Sequence, residues 1–234
     1  AIRGGGGNFG VVTSFLFQAH PVKMVNAGPM LWDLDQAAAI MKWYREFIPQ
    51  APEEINGFFA FITVPPGPPF PESLHFKKMA ALVWCHQGTM DQANGILDPL
   101  RRFHRPEFEF FATMPFPVLQ SMFDGLYVPG LQWYWMADFV NELSDEAISL
   151  HIRHGSEMPT LHSTMHLYPI NGAAHRVKSS DTPWSYRDAT WTEVIVGVDP
   201  DPANNDRITA WAKDYWNALH PHGAGGADIN FMMD

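Results

Sequence analysis

The chain opens with Arg3-Gly4-Gly5-Gly6-Gly7-Asn8-Phe9-Gly10 followed at once by Val11-Val12-Thr13-Ser14-Phe15-Leu16-Phe17, and this junction limits what can be built around it. Consecutive glycines let a backbone pass very close to another group, because they lack Cβ and adopt φ > 0 freely. Gly5, Gly7 and Gly10 meet the G-x-G-x-x-G spacing, but a dinucleotide fold needs a strand before those glycines and a helix after them. Here three residues precede the loop, and a β-branched, aromatic run follows it, which predicts a strand over 11–17. A Rossmann site is therefore excluded, and the lack of G-K-[ST] excludes a P-loop.

Composition narrows the class. The 234 residues are 46% hydrophobic and include nine tryptophans, enough for a packed core in one domain or one domain plus a fragment. Fifteen basic against 25 acidic residues leave a net charge of −10, with no basic stripe to bind nucleic acid or an anionic membrane. The lone Cys85 excludes an internal disulfide framework and a Cys-based zinc site. No apolar run is long enough to span a bilayer, and no signal peptide is visible, so a soluble, cytoplasmic protein is favoured. The abrupt start within a motif and the strand-like end at 227–234 are those expected of a piece of a longer protein.

Strands are predicted at 28–34, 55–64, 78–85, 108–111, 131–143, 164–168, 173–177 and 190–198. Helices follow Asp35 as N-cap, the capping box Thr89-Met90-Asp91-Gln92, Ser144, and the pair Asp201-Pro202. Ala37, Ile40, Met41, Tyr44 and Phe47 form an apolar helical face, and Pro99 predicts a kink or early break in the second helix. Strands fall in adjacent pairs with helices in blocks between them. That order points to the α+β class, an antiparallel or mixed β-sheet flanked by helices.

Glu193 is the sharpest candidate for chemistry. Period two places it between Trp191 and Ile195 on one face, where desolvation would raise its pKa into the range of a proton acceptor. The plainer reading, a solvent face carrying a Trp and a Glu, is about twice as common. His86 ends a strand, and Tyr168 ends another whose face also carries His166; both suit substrate contacts or structural hydrogen bonds. The spacing of His151, His154, His162 and His166 includes no H-E-x-x-H and no acidic or Cys partner, so no metal site is expected. Trp133, Tyr134 and Trp135 suit a core, with alternate residues able to line a pocket.

Several separated segments, in order, resemble FAD-linked oxidases of the berberine bridge enzyme type, within the vanillyl-alcohol oxidase superfamily. The opening glycine loop is similar to the segment that closes the family's flavin domain. Trp84-Cys85-His86-Gln87-Gly88 is similar to a strand ending in F-H-G-G, and Leu167-Tyr168-Pro169-Ile170-Asn171-Gly172 to L-Y-P-Y-G-G. Pro183-Trp184-Ser185-Tyr186-Arg187 follows P-F-P-H-R, with Glu193 six residues on, where the family carries an active-site carboxylate. Ile229-Asn230-Phe231 follows L-N-Y, with Phe231 in place of a tyrosine that serves as base in some members.

The resemblance implies a layout of three parts: 1–22 as the end of an FAD-binding domain, 23–226 as an α+β substrate domain, and 227–234 as a strand returning towards the flavin. It implies FAD as cofactor, backed by Gly4, Gly5, Gly6, Gly7, Asn8, Phe9 and Asn230. Glu193 would be the catalytic base, with His86, Tyr168 and Phe231 against a small-molecule substrate. The full-length protein would move hydride from an alcohol, sugar or secondary metabolite to FAD. Most of the FAD-binding domain is absent from this chain, which by itself would be inactive. Two other classes stand beside this one: a binding or structural domain whose redox chemistry is lost, and a metal-dependent hydrolase using His151 to His166.

Overall fold

In the computed structural model, which describes residues 4–5 and 9–233, the chain forms β1 (Met24–Asp33), α1 (Ala37–Phe47), β2 (Ile55–Thr63), β3 (Lys78–His86) and α2 (Met90–Phe103). There follow β4 (Phe108–Glu109), β5 (Ala112–Pro115), α3 (Phe116–Ser121), β6 (Gln132–Val140), α4 (Asp145–Ser156), β7 (Thr164–Pro169), α5 (Gly172–Arg176), β8 (Trp191–Asp199) and α6 (Asn205–Leu219). The eight strands make one antiparallel sheet in the order β4-β1-β3-β2-β7-β8-β6, with β5 continuing the β4 edge against β1. This is the α+β arrangement that the pairing of strands predicts.

Alternation along each strand decides which side a residue serves. Phe59, Phe61, Leu82, Trp84, Leu167, Met136 and Ile195 point to one face, where α1, α2, α4 and α6 bury them in the main core. Ala60, Ala81, Ala137, Val194 and Val196 point to the other, which the helices leave uncovered. The apolar face expected of α1 is in place, with Ala37, Ile40, Met41 and Tyr44 buried. The capping box of α2 forms: Thr89 Oγ1 accepts from Gln92 N, and Gln92 Oε1 accepts from Thr89 N. Ser144 and Asp201 cap as expected, each accepting from a backbone N–H.

Five local expectations are corrected. Residues 11–17 form no strand, and Phe15, Leu16 and Phe17 are largely exposed, because no other strand lies beside them to receive their backbone hydrogen bonds. Residues 173–176 belong to the short helix α5 instead of a strand, and Val177 caps its end. Asp35 lies inside a 3-10 turn, Leu34–Gln36, so α1 begins without a side-chain cap. Pro99 does not end α2, which runs on to Phe103. Residues 226–233 pass along the β6 edge, where Phe139 N donates to Gly226 O (2.8 Å) and Met233 N to Trp135 O (3.1 Å), but Ile229–Phe231 make a 3-10 turn instead of a strand.

The break between β4 and β5 has a visible cause. Opposite it, Gly28 has φ +143°, and a Cβ there would lie 1.7 Å from the Phe110 carbonyl oxygen. Backbone cannot yield as a side-chain tip can. Gly28→Ala is therefore expected to lower the unfolding free energy by about 3 kcal/mol, seen as an earlier urea midpoint at unchanged slope.

Candidate active site

The uncovered face of the sheet is the floor of a cavity of about 930 Å³. Small residues make the room: Ala60, Ala81, Val83, Val194 and Val196 keep the floor low, while the Pro68-Pro69-Phe70 loop and Met122 to Tyr127 rise as walls. One wall is a column of rings. Tyr127 stacks on Trp133 (5.7 Å, 9°), Trp133 on Trp135 (5.6 Å, 17°), and Trp135 on Phe231 (5.7 Å, 29°). Trp133 and Trp135 stand two apart on β6, so the strand's own period aligns them. Such offset-stacked rings make a flat, apolar surface with few rotamers to freeze.

The lining includes the polar side chains of Thr63, His162, Ser163 and Thr164 and a hydrogen-bonded pair on the floor. β7 lies between β2 and β8, and its residues His166 and Tyr168 both face the cavity, their side chains joined at 2.6 Å between Nδ1 and Oη. Phe58 packs on both rings, at 5.3 and 4.9 Å. Burial holds His166 near pKa 4, so its ring is neutral at pH 7. Burial, with a smaller push from Tyr127, drives the Tyr168 phenol well above its usual value. The pair is therefore uncharged and carries a single shared hydrogen bond.

Tyr168 and Phe231, both expected at a substrate, thus line the cavity. Glu193 and His86 do not. Glu193 pairs in register with Leu167 and Asp138, on the helix-covered face, and the sheet backbone separates it from the cavity. Period two was read correctly, but it cannot say which of the two faces the helices will cover. Its carboxyl is 1% exposed and lies 3.4 Å from Nε2 of His151 on α4. Nearby, Asp138 bonds His220 Nδ1 at 2.8 Å. His86 shares the helix-facing side with Ile55. It is buried beside Asn26, whose Nδ2 donates to Gly88 O (2.9 Å), so it braces the turn into α2.

The glycine loop is only partly described. Gly4 has φ +73°, and a Cβ there would come within 2.9 Å of Trp184 Cβ. Gly5 and Phe9 are exposed, Phe9 by 83%. Gly6, Gly7 and Asn8 lie outside the described residues. Asn230 is exposed and bonds Asp228, and it is not among the residues that line the cavity. Residues that the sequence left without a role are His166 and Tyr127, whereas Trp133 and Trp135 line the cavity as alternate residues. For His166 the signal was present, since its spacing from Tyr168 places both on one face.

His151 is occupied by protein partners. Tyr215 donates its one hydroxyl proton to the His151 carbonyl (3.2 Å), so His151 Nδ1–H must donate to Tyr215 Oη (2.8 Å). Among the described residues no group of three His, Cys, Asp or Glu side chains could hold a metal ion, and no helix is long and apolar enough to cross a membrane.

No protein-family model matches the chain. Two curated relatives are both described as FAD-linked oxidoreductases. That of Dictyostelium discoideum is 23% identical over 226 residues, covering 95% of this chain and 47% of the relative. That of Bacillus subtilis is 26% identical over 223 residues, covering 92% and 46%. The chain therefore spans about half the length of the curated relatives it matches. Among solved structures, a berberine bridge enzyme variant in complex with (S)-reticuline superposes with a TM-score of 0.73 at 13% identity, covering 92% of this chain and 45% of that one. A berberine bridge enzyme-like protein from Arabidopsis thaliana superposes at 0.71 and 15%, covering 90% and 46%. The order of motifs, the antiparallel sheet and these relatives agree: the chain resembles roughly half of an FAD-linked oxidoreductase of the berberine bridge enzyme-like type.

Proposed function

We propose that this chain is the substrate-side half of a flavin-dependent oxidoreductase acting on a small molecule that carries a hydroxyl. The cavity on the uncovered sheet face carries this reading. It is large, flat-walled and lined mainly by apolar side chains, with the bonded His166–Tyr168 pair among its polar groups. Cavities of this kind orient a mostly apolar ligand through a few placed polar groups.

The residues present fit one end of FAD. Aromatic walls and a low floor suit a planar ring lying over a substrate, whereas the cavity lining includes no lysine or arginine to hold a pyrophosphate. The phosphate end belongs, on this reading, to the part of the protein beyond this chain. Gly4 to Gly7, Asn8, Phe9 and Asn230 would then back the flavin. When bound, FAD supplies the acceptor for a hydride equivalent from a substrate carbon. The chain's own task is to hold the substrate, exclude water and take up the hydroxyl proton. For that last step the geometry favours His166 Nε2, with Tyr168 orienting the ring through Nδ1, over Glu193, because only a group on the cavity side can reach a ligand there.

The full-length protein is expected to be yellow, with the two-band visible absorbance of oxidised flavin. Acid precipitation then shows whether the colour stays with the polypeptide. A colourless full-length protein that takes up no added FAD would sink the proposal and return the binding-domain reading.

A further inference from the structure

The segment that follows β2 has almost no hydrogen-bond donors of its own. Residues 65–71 read Pro-Pro-Gly-Pro-Pro-Phe-Pro, so Gly67 and Phe70 carry its only backbone N–H groups. Phe70 N donates to Gly67 O (3.1 Å), inside the segment. Gly67 N donates to Nε2 of His75 (3.1 Å), which lies three residues before β3. Below them the two arms of the loop are paired, with Phe76 N donating to Val64 O (2.8 Å) and Val64 N to Lys77 O (2.9 Å). His75 thus ties the proline segment back to the base of its own loop.

The same nitrogen lies 3.1 Å from Phe70 O as well. One ring nitrogen cannot serve both partners. With a lone pair, Nε2 accepts from Gly67 N; with a hydrogen, it donates to Phe70 O and leaves Gly67 N unpaired. A neutral ring can keep its hydrogen on Nδ1, which satisfies the N–H, the costlier of the two groups to orphan. A doubly protonated ring has no such choice, and its bond passes to Phe70 O.

The ionisable groups around the ring leave it to these two partners. Glu72 and Lys77 share its loop, Lys78 donates to Ser156 O (2.7 Å), and His162 lines the same cavity. Glu107 and Glu109 flank Phe108, and Glu109 is held by Arg101 at 2.6 Å. Among the described residues the imidazole bonds none of them.

We propose that His75 positions the proline wall of the cavity, and that protonation of its ring moves the bond from Gly67 to Phe70 and loosens that wall. Pro65, Pro68, Pro69 and Phe70 line the cavity, and the Phe70 ring packs on Phe108 at 5.1 Å. Prolines fix φ, so the segment shifts as one piece when the Gly67 tether opens. Histidine takes up its second proton between about pH 5 and 8, so an apolar ligand is held more firmly above that range than below it. The latch works on whatever the cavity binds and does not depend on flavin.

The test is hydrogen exchange on the full-length protein at pH 5 and pH 8, read by mass spectrometry of peptides covering 64–76 and corrected for the intrinsic pH dependence of exchange. Protection of the Gly67 amide is expected to be about tenfold lower at pH 5, the equivalent of one neutral hydrogen bond. His75→Phe, which cannot accept, should show the low value at both. His75→Gln carries a separate acceptor and donor, can serve Gly67 and Phe70 together, and should show the high value at both. It also keeps the test alive should His75→Phe fail to fold.

Binding of N-phenyl-1-naphthylamine, a neutral apolar fluorophore, reports on the wall itself. Its Kd is expected to rise about threefold from pH 8 to pH 5 in the parent and to stay level in His75→Gln, which retains His162 and His166. Equal protection at the two pH values in the parent, full protection in His75→Phe, or the same pH dependence of probe binding in the parent and His75→Gln would each overturn the proposal.

Discussion

Replacing Tyr168 by phenylalanine is expected to slow flavin reduction by substrate in the full-length protein about a hundredfold, in the range that loss of a group positioning the acceptor His166 produces. The substitution keeps the ring that packs on Phe58 and removes only the oxygen bonded to His166. Stability should change little, because the lost bond is a single neutral one. Glu193→Gln makes the informative contrast. Glu193 lies beneath the sheet with His151, so at pH 7 its replacement is expected to leave the reduction rate within a few-fold of the parent. Stopped-flow absorbance on both variants decides the matter. A large loss in Glu193→Gln together with an unchanged Tyr168→Phe would restore the carboxylate as base and require the sheet to open.

The second large effect concerns stability. Glu193 and His151 face each other at 3.4 Å with neither side chain exposed by more than 1%. Since Nδ1 of His151 is already a donor, a neutral His151 presents a lone pair on Nε2 to the carboxyl. Neither Nε2 nor either carboxyl oxygen has a hydrogen-bond partner among the described residues, so a charge on this carboxyl would go unanswered in a dry core. An ion pair would require charge on both, yet burial lowers His151 to about pKa 3 and, helped by the Asp138 charge, raises Glu193 to about 8. Between those values both groups are neutral, and they meet without a hydrogen bond.

The linkage has a definite sign. Glu193 titrates at 4.5 unfolded and about 8 folded, so its contribution is full below 4.5 and lost as pH rises towards 8. His151 titrates at 6.5 unfolded and about 3 folded, so its contribution is full above 6.5 and lost as pH falls towards 3. The two cancel between 4.5 and 6.5, leaving a plateau. From pH 6.5 to 8 the folding constant should fall by up to about tenfold per unit. Urea unfolding of Glu193→Gln should show that alkaline decline removed.

His151→Leu leaves the buried carboxyl facing a side chain with no polar atom and is expected to cost about 3 kcal/mol. Combining it with Glu193→Leu should recover most of that loss, because two apolar side chains leave nothing unpaired. A double variant no more stable than His151→Leu would count against coupling of the two groups.

Much of the fold can be read from local chemistry. The Thr89–Gln92 capping box, the Ser144 cap and the alternating strands follow from hydrogen-bond and steric preferences within a few residues. So does the placement of His166 and Tyr168 on one side of β7. The misreadings share a different origin. Residues 11–17 have the composition of a strand, but a strand needs a neighbour to bond. The run 227–233 reads as extended, yet Asp228 accepts from Asn230 N (3.0 Å) and closes a turn. Ala173 to Val177 is short enough for its surroundings to choose helix over strand.

Sequence alone determined the spacing of polar and apolar residues, and with it the strands, most helix starts and the pairs of residues that share a side. Only the tertiary structure decided which side of the sheet the four larger helices would cover. That choice turned Glu193 and His86 into groups of the buried layer and left His166 and Tyr168 in the cavity. The reason is physical: a period of two distinguishes two faces but does not label them, and the label comes from contacts between segments far apart in the chain.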